Sequence, residues 1–589
     1  MNRRRVYRAL TVLTAAVTSA GLFGAPAGAM TATESPGVTG SPYPCSTGDN
    51  TQFQPASGLA VDVSAIGWLG NDQGAVACLG GSFYVQNGID TTYGYGVYNY
   101  SPTTWVSSGG YLPALVTGFT SHGAQVSITN FGDRVVLGGH AYVAVYSRVA
   151  VHNPTAHPVT VNPEPSPGLL PLDHAPDTVP PGQTVDHDYV VAADRFGNSY
   201  PWPTATQLKQ AGGWTGHFTH MRAFWNAQLA KITQLTLPDP QLVDAYKAGF
   251  IYAQIDRSED QLDTGTNGYH AEYEHDVIGI LANMFNEGFF SGAHALLNEV
   301  DTVVGTNGQY ADGLWTYPWL WAIYLEKTGD LTFLKQHFTK PGPLGATKQP
   351  SIEATAHLTA ADRTGPGGIM EETSDIDANG YWTSDDFESL LGLASYVYLA
   401  KAVGNQAQAT WGENEYASLQ KAVDATLAHT TATYHLDYLP CSMVEPNSYN
   451  RCADPLDGNW AAPGVYTNEA WHGYLMGAKV AGFAGRSMAA WLDSTLSHGF
   501  AGTAGVVPPT TFGGYPGEGF YSTTYNAGYG AWGIGSTHYR DESILANEFM
   551  LANDQSGPYA WWEGSAAPDD TTPWIGNHPS SSGGASPHS

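Results

Sequence analysis

The sequence predicts two folds in series, an antiparallel β-sandwich followed by an α-helical toroid. Short alternating apolar runs broken by Gly, Asn and Pro fill residues 43–194. Beyond residue 237 the apolar residues recur at helical spacing instead, as in Leu242, Tyr246, Phe250, Ile251 and Ile255. No strand run separates the helical stretches, which argues against an α/β fold. No repeat of roughly 20–50 residues stands out either, which argues against a solenoid.

The chain opens with Arg3, Arg4, Arg5 and Arg8, then an apolar and small-residue stretch over 9–24, then Ala27-Gly28-Ala29, which fits a signal-peptidase site. This reads as a signal peptide over 1–29, and the mature protein is expected to be secreted, extracellular and soluble. No other run reaches the roughly 20 apolar residues that span a bilayer. Losing those four arginines takes the formal net charge from −30 to −34. So acidic a protein does not bind nucleic acid or anionic membranes non-specifically, and a neutral or cationic ligand suits it. Of the cysteines, Cys45 with Cys78 and Cys441 with Cys452 form local couples, and these pairings are expected, although three connectivities are open. Their spacing does not resemble a zinc site, and neither a metal nor another cofactor is expected.

The sandwich is assigned to 43–200. Its strands include Ser82-Phe83-Tyr84-Val85, Gln125-Val126-Ser127-Ile128 and Ala141-Tyr142-Val143-Ala144-Val145, and a structural role is preferred for it over ligand binding. A helical linker over 201–236, helical at 225–235, is broken by Leu237-Pro238-Asp239-Pro240. The toroid is assigned to 237–589, with helices expected at 275–290, 292–303, 313–328, 331–337, 352–361, 387–403, 412–428, 468–481 and 541–552. The stretch 277–285 is apolar on more than one face and is expected between neighbours.

The chemistry is concentrated at Gly368-Ile369-Met370-Glu371-Glu372-Thr373-Ser374-Asp375-Ile376-Asp377, which runs on to Tyr381-Trp382. Breaking a glycosidic bond requires one carboxylic acid to protonate the leaving oxygen and a second carboxylate opposite it, with aromatic faces for the sugar. A general acid must keep its proton near neutrality, through burial or like charge. Glu371 has Ile369 and Met370 beside it and Glu372, Asp375 and Asp377 nearby. The late segment Tyr559-Ala560-Trp561-Trp562-Glu563-Gly564-Ser565 offers the second carboxylate.

In this order the motifs resemble bacterial glucoamylase-like enzymes of the six-hairpin glycosidase superfamily. The resemblance covers most of residues 43–589 and implies an (α/α)6 barrel after the sandwich. Tyr273-Glu274-His275-Asp276-Val277 is similar to the segment with which that family holds the non-reducing sugar, with His275 where an Arg is usual. Met370-Glu371-Glu372 with Gly380-Tyr381-Trp382-Thr383 resembles the Trp-Glu-Glu motif, with Met370 in place of the Trp. Trp562-Glu563-Gly564, before Gly576-Asn577-His578-Pro579, resembles the segment of the general base. The resemblance therefore implies an inverting glycoside hydrolase with Glu371 as acid and Glu563 as base. Glu372, Asp276, His275 and Trp562 would contact the sugar.

Asp375, Asp377, Asp541 and Glu542 are rival carboxylates, and Asp541-Glu542 reads most simply as charge at a helix start. Trp315 and Tyr317, at the opening of an aromatic helix, and Trp382 are further stacking candidates. For each of these rings core packing is as good a reading. No Gly-x-Ser-x-Gly elbow, P-loop, strand–Gly-x-Gly-x-x-Gly–helix unit or His-Glu-x-x-His occurs. The alternatives are a polysaccharide lyase on a helical toroid, disfavoured by so few Lys and Arg, and a non-catalytic carbohydrate-binding relative. The chain stops at Ser586-Pro587-His588-Ser589, where a closing helix is expected, so the last helix of the barrel is expected to be missing. A carbohydrate is the expected partner, and a monomer the default.

Overall fold

The structure is a computed structural model that describes residues 63–440 apart from 73, 87–88, 90, 98–102, 268–269, 307, 309 and 376–378. It also describes residues 31–32 and 442–444 and parts of 482–561. The first strands are β1 (Thr31–Ala32), β2 (Val63–Ala65), β3 (Val76–Cys78), β4 (Phe83–Val85), β5 (Thr91–Tyr93) and β6 (Thr103–Ser107). There follow β7 (Ala114–Ser121), β8 (Ala124–Leu137), β9 (His140–His152), β10 (Val159–Thr160), β11 (Leu170–Pro171), β12 (Thr178–Val179) and β13 (Thr184–Asp194).

These form a seven-stranded antiparallel sheet, β1-β6-β7-β8-β9-β13-β11, and a four-stranded meander, β2-β3-β4-β5. The long β8–β9 hairpin turns at Gly138 and Gly139, with φ of 61° and 86°. A two-residue turn needs left-handed backbone at both positions, which glycine supplies without strain. Ile66, Phe83 and Val85 from the meander share one core with Leu115, Ile128, Val145 and Val149 from the large sheet. Two antiparallel sheets over one apolar layer make the expected β-sandwich.

The other face of the large sheet is apolar as well, because Phe131, Tyr142, Tyr146 and Val190 belong to a separate core on that side. The linker covers that face. Helix α1 (Ala205–Gln210) starts with a capping box between Thr204 and Gln207, and α2 (Trp214–Leu229) lays Trp214, Met221 and Trp225 on the sheet. The linker helix, expected over 225–235, ends at Leu229. The Gln234 side chain there donates to the carbonyls of Leu229 and Ile232, closing the turn. Asp239 then caps α3 (Pro240–Ile255), accepting from Gln241 N at 2.8 Å, with Pro240 in the first turn. A short hairpin follows, β14 (Arg257–Ser258) with β15 (Gln261–Leu262).

The remaining helices are α4 (Glu274–Asn286), α5 (Ala293–Thr306), α6 (Ala311–Thr328), α7 (Leu331–Phe338), α8 (Ile352–Ala361), α9 (Thr383–Val403) and α10 (Gln406–Tyr434). A last two-strand hairpin pairs β16 (Gly482–Phe483) with β17 (Arg486–Ser487). Helices α4, α6 and α9 lie side by side, and α5, α8 and α10 flank them. This is the succession of helical hairpins expected of a toroid. Helix α6 is buried around most of its circumference, from Asp312 to Leu325, as a central helix must be. Helix α9 begins at Thr383, one turn before the expected 387, and α10 is far longer than 412–428, running from its Asn405 cap to a left-handed His435. The surplus turn of α9 is Thr-Ser-Asp-Asp, and those of α10 mix Gln, Thr and His with Ala, so apolar periodicity does not reveal them. The expected helix at 468–481 and everything past Trp561, including the closing helix, lie outside the described residues. So do Cys45, Cys441 and Cys452, and with them the expected pairings; Cys78 is buried on β3. Among the described residues no helix is long and apolar enough to cross a membrane.

Candidate active site

The central helices α4, α6 and α9 each begin with acidic residues: Glu274 and Asp276, Asp312, and Asp385 and Asp386. Carboxylates are favoured there by the helix dipoles, and they draw the connecting loop over the helix starts. Two glycines let these helices approach, Gly313 at the start of α6 and Gly392 midway along α9. A Cβ on Gly313 of α6 would meet Glu274 Cβ at 2.3 Å, and one on Gly392 of α9 would meet the Trp315 carbonyl oxygen at 1.7 Å.

The loop from Ile369 to Trp382 is pinned at several points. Met370 N donates to Asp386 Oδ1 at 3.1 Å, and Thr373 Oγ1 donates to Asp385 Oδ2 at 2.7 Å. Thr373 and Gly380 exchange backbone hydrogen bonds at 2.9 Å, closing the loop on itself. Asp375 turns inward and accepts from Ala311 N and Asp312 N, each at 3.0 Å, so it caps α6 from another part of the chain. Asp312 in turn accepts from His275 Nδ1 at 2.9 Å, while His275 Nε2 faces Asp276 at 3.4 Å. The Tyr310 ring lies 4.4 Å from the imidazole.

Carboxyl groups so placed do not all ionise near neutrality. Burial, then the charge of Asp312, pushes Asp375 up to about 8. Burial and Asp375 hold Asp385 well above the carboxylate range, and burial and Asp312 do the same to Glu388. One oxygen of Glu388 is closed to water and has no hydrogen-bond partner among the described residues. Burial alone would lower His275, but Asp312 and Asp276 raise it well above the usual imidazole value. The result is a proton-holding group of acids around one imidazolium.

Glu371 stands on the same loop and is half-buried, while Glu372 beside it is exposed. Glu371 N donates to the carbonyl of Asp362, whose carboxylate accepts from Trp315 Nε1 at 3.0 Å. Burial, then the charge of Asp362, raises the Glu371 carboxyl above its ordinary value.

The structure therefore brings His275 and Asp276 together with Asp375, which sequence reasoning ranks only as a rival, and strings Glu371 and Glu372 on the same loop. Trp315, Tyr317 and Trp382 are at most 1 % exposed, so packing takes up their ring faces. Trp562, Glu563 and Asp377 lie outside the described residues. Sequence reasoning misses Asp312, Asp362, Asp385 and Glu388. The available signal is an acid in the first turn of an otherwise apolar helix, as in Ala311-Asp312-Gly313-Leu314-Trp315. Among the described residues no group of three or more His, Cys, Asp or Glu is arranged to hold a metal ion.

No family model matches the sequence, and no curated protein matches it. Among solved structures the chain is similar to a bacterial glucoamylase in complex with acarbose. That alignment has TM-score 0.34 and 10 % identity, over 65 % of this chain and 70 % of that one. It is also similar to a GH92 family glycosyl hydrolase, with TM-score 0.24 and 9 % identity over 60 % and 50 % of the two chains. A GH92 family α-mannosidase from Bacteroides thetaiotaomicron aligns with TM-score 0.25 and 8 % identity over 79 % and 72 %. At these scores the likeness carries no argument about the site or its substrate.

Proposed function

We propose that this chain is a secreted glycoside hydrolase that cleaves a glycosidic bond in an oligo- or polysaccharide with inversion of configuration. The observation that carries the reading is the state of Glu371, half-buried at the helix starts with its carboxyl raised by burial and by Asp362. A carboxyl in that state suits a general acid, which must hold its proton near neutrality and release it to the leaving oxygen.

In this reading Glu371 protonates the glycosidic oxygen as the bond to the anomeric carbon breaks. Glu563, assigned from the sequence, takes a proton from water attacking the opposite face. An inverting pair needs roughly 6.5–9.5 Å between its carboxyl groups to admit that water. Glu372, exposed beside the acid, and Asp276 and His275 at the start of α4 hold the sugar hydroxyls. The chemistry needs no cofactor.

The test is an assay of the mature protein on a panel of oligo- and polysaccharides beside Glu371→Gln and Glu563→Gln. New reducing ends from wild type, lost in both variants and first appearing as the inverted anomer by NMR, support the proposal. An unsaturated product would identify elimination instead. Hydrolysis that survives Glu371→Gln would remove Glu371 from its role.

A further inference from the structure

A second concave site lies away from the Glu371 loop. A cavity of about 660 Å³ opens where the β8–β9 hairpin, the loop after β13 and the β14–β15 hairpin meet. Its size is within the range of small-ligand sites, roughly 300–1,000 Å³. Its wall includes Asp72, Arg134, Phe196, Tyr200, Arg257 and Glu259.

The composition of this wall narrows the ligand. Arg134 and Arg257 share the wall with Asp72 and Glu259, and Arg257 also stands 3.7 Å from Asp260, so the charges are mixed and no simple ion is called for. Donors and acceptors stand together, which suits a ligand whose polar groups each donate and accept, as hydroxyls do. The two rings add apolar surface, with the Arg134 guanidinium 6.0 Å from the Phe196 centroid and His140 stacked on Tyr200 at 4.4 Å. Arg257 is fixed by bonds to Gln254 Oε1 at 2.9 Å and the Glu259 carbonyl at 2.7 Å. Its Nε–H is closed to water and points away from the cavity space, so Arg257 meets a ligand through its terminal nitrogens. Rings for C–H faces and planar polar side chains for hydroxyls are the two elements of sugar recognition.

We propose that this cavity is a carbohydrate-binding site separate from the catalytic loop, taking a neutral oligosaccharide through Arg134, Arg257, Asp72, Glu259 and the Phe196 and Tyr200 rings. It does not rest on the glycosidase reading, since its residues take no part in bond cleavage. It gives the sandwich a ligand-binding face where the sequence favours a purely structural role.

The test measures binding by titration calorimetry in the Glu371→Gln protein, where turnover is removed. The probes are maltohexaose, cellohexaose and mannohexaose, with hexagalacturonate as the acidic comparison. Arg134→Ala removes an exposed guanidinium. Phe196→Asn removes a ring at a residue with φ of 52°, which Asn tolerates. Thermal melting checks that both variants fold, and Arg134→Ala decides alone if Phe196→Asn does not. Binding of a neutral hexamer, weakened about tenfold or more by each variant, is the expected result. Three results overturn the proposal: no neutral hexamer binds, binding is untouched by both variants, or only hexagalacturonate binds. If wild type hydrolyses nothing yet a hexamer still binds through Arg134, the glycosidase reading fails and this one stands.

Discussion

Replacing Asp375 by asparagine should flatten the dependence of stability on pH by one proton. Asp375 is 7 % exposed, and its carboxyl is raised from an ordinary 3.8 to about 8 by burial and the neighbouring Asp312. Because the folded-state value lies above the unfolded one, its contribution is fully present below about pH 4 and is lost as pH rises through about 8. Between those limits the unfolded chain has released this proton and the folded chain has not. Stability then falls by about 1.4 kcal/mol per pH unit for each proton retained. From pH 5 to pH 7 Asp375 alone accounts for roughly 3 kcal/mol. The amide that replaces the carboxyl cannot titrate. It keeps an acceptor for one of the two α6 N–H groups but turns an N–H toward the other, which costs about 1–3 kcal/mol at all pH values. Urea denaturation of wild type and Asp375→Asn at pH 5, 6 and 7 and constant ionic strength separates the two effects. The expected outcome is a wild type that weakens with rising pH and a variant of lower stability at pH 5 but shallower slope. Equal slopes, or a wild type that strengthens with pH, would refute the account of the acid cluster.

Three further outcomes are expected. Glu371→Gln should lower kcat by roughly 10²–10⁴-fold, the usual contribution of a general acid, with the melting temperature nearly unchanged because the side chain is half-buried. Gly392→Ala should destabilise by ~3 kcal/mol or more despite alanine's better helix propensity, because its methyl would stand 1.7 Å from the Trp315 carbonyl; thermal unfolding checks the sign. Trp225→Ala empties a fully buried ring from between the large sheet and the helices and should cost about 3–5 kcal/mol, read by denaturant titration.

Much of the architecture is legible in the chain because burial writes a period into it. Helical spacing beyond Leu237 marks the helical region, which α1 and α2 already open at Ala205 and Trp214, and Asp239-Pro240 marks the start of α3. The start of α9 and both ends of α10 are not legible, since their extra turns carry acids, amides, threonines and alanines that apolar spacing does not register. In the site, the Glu371–Asp375 loop stands out by its density of carboxylates. What the sequence hides is the partner of each: Asp375 caps α6, and Trp315 reaches Asp362, across separations that only packing closes. The rings of Trp315 and Tyr317 mislead for the same reason. An aromatic near a helix start looks available to ligand until the neighbouring helix is seen to cover it.

The apolar layer under α2 has a consequence for how the chain can be divided. Phe131 and Tyr146 of the large sheet, Trp214 and Trp225 of the linker, and Phe250 and Leu281 of the helices belong to one cluster. The seams at 200 and 236 suggested by sequence therefore run along the spine of the molecule and not between separable modules. A gene cut at either seam would express two halves each baring a wide greasy face, prone to clump before either refolds. Swapping a foreign sandwich onto these helices would require transplanting the matching surface of α2 along with it.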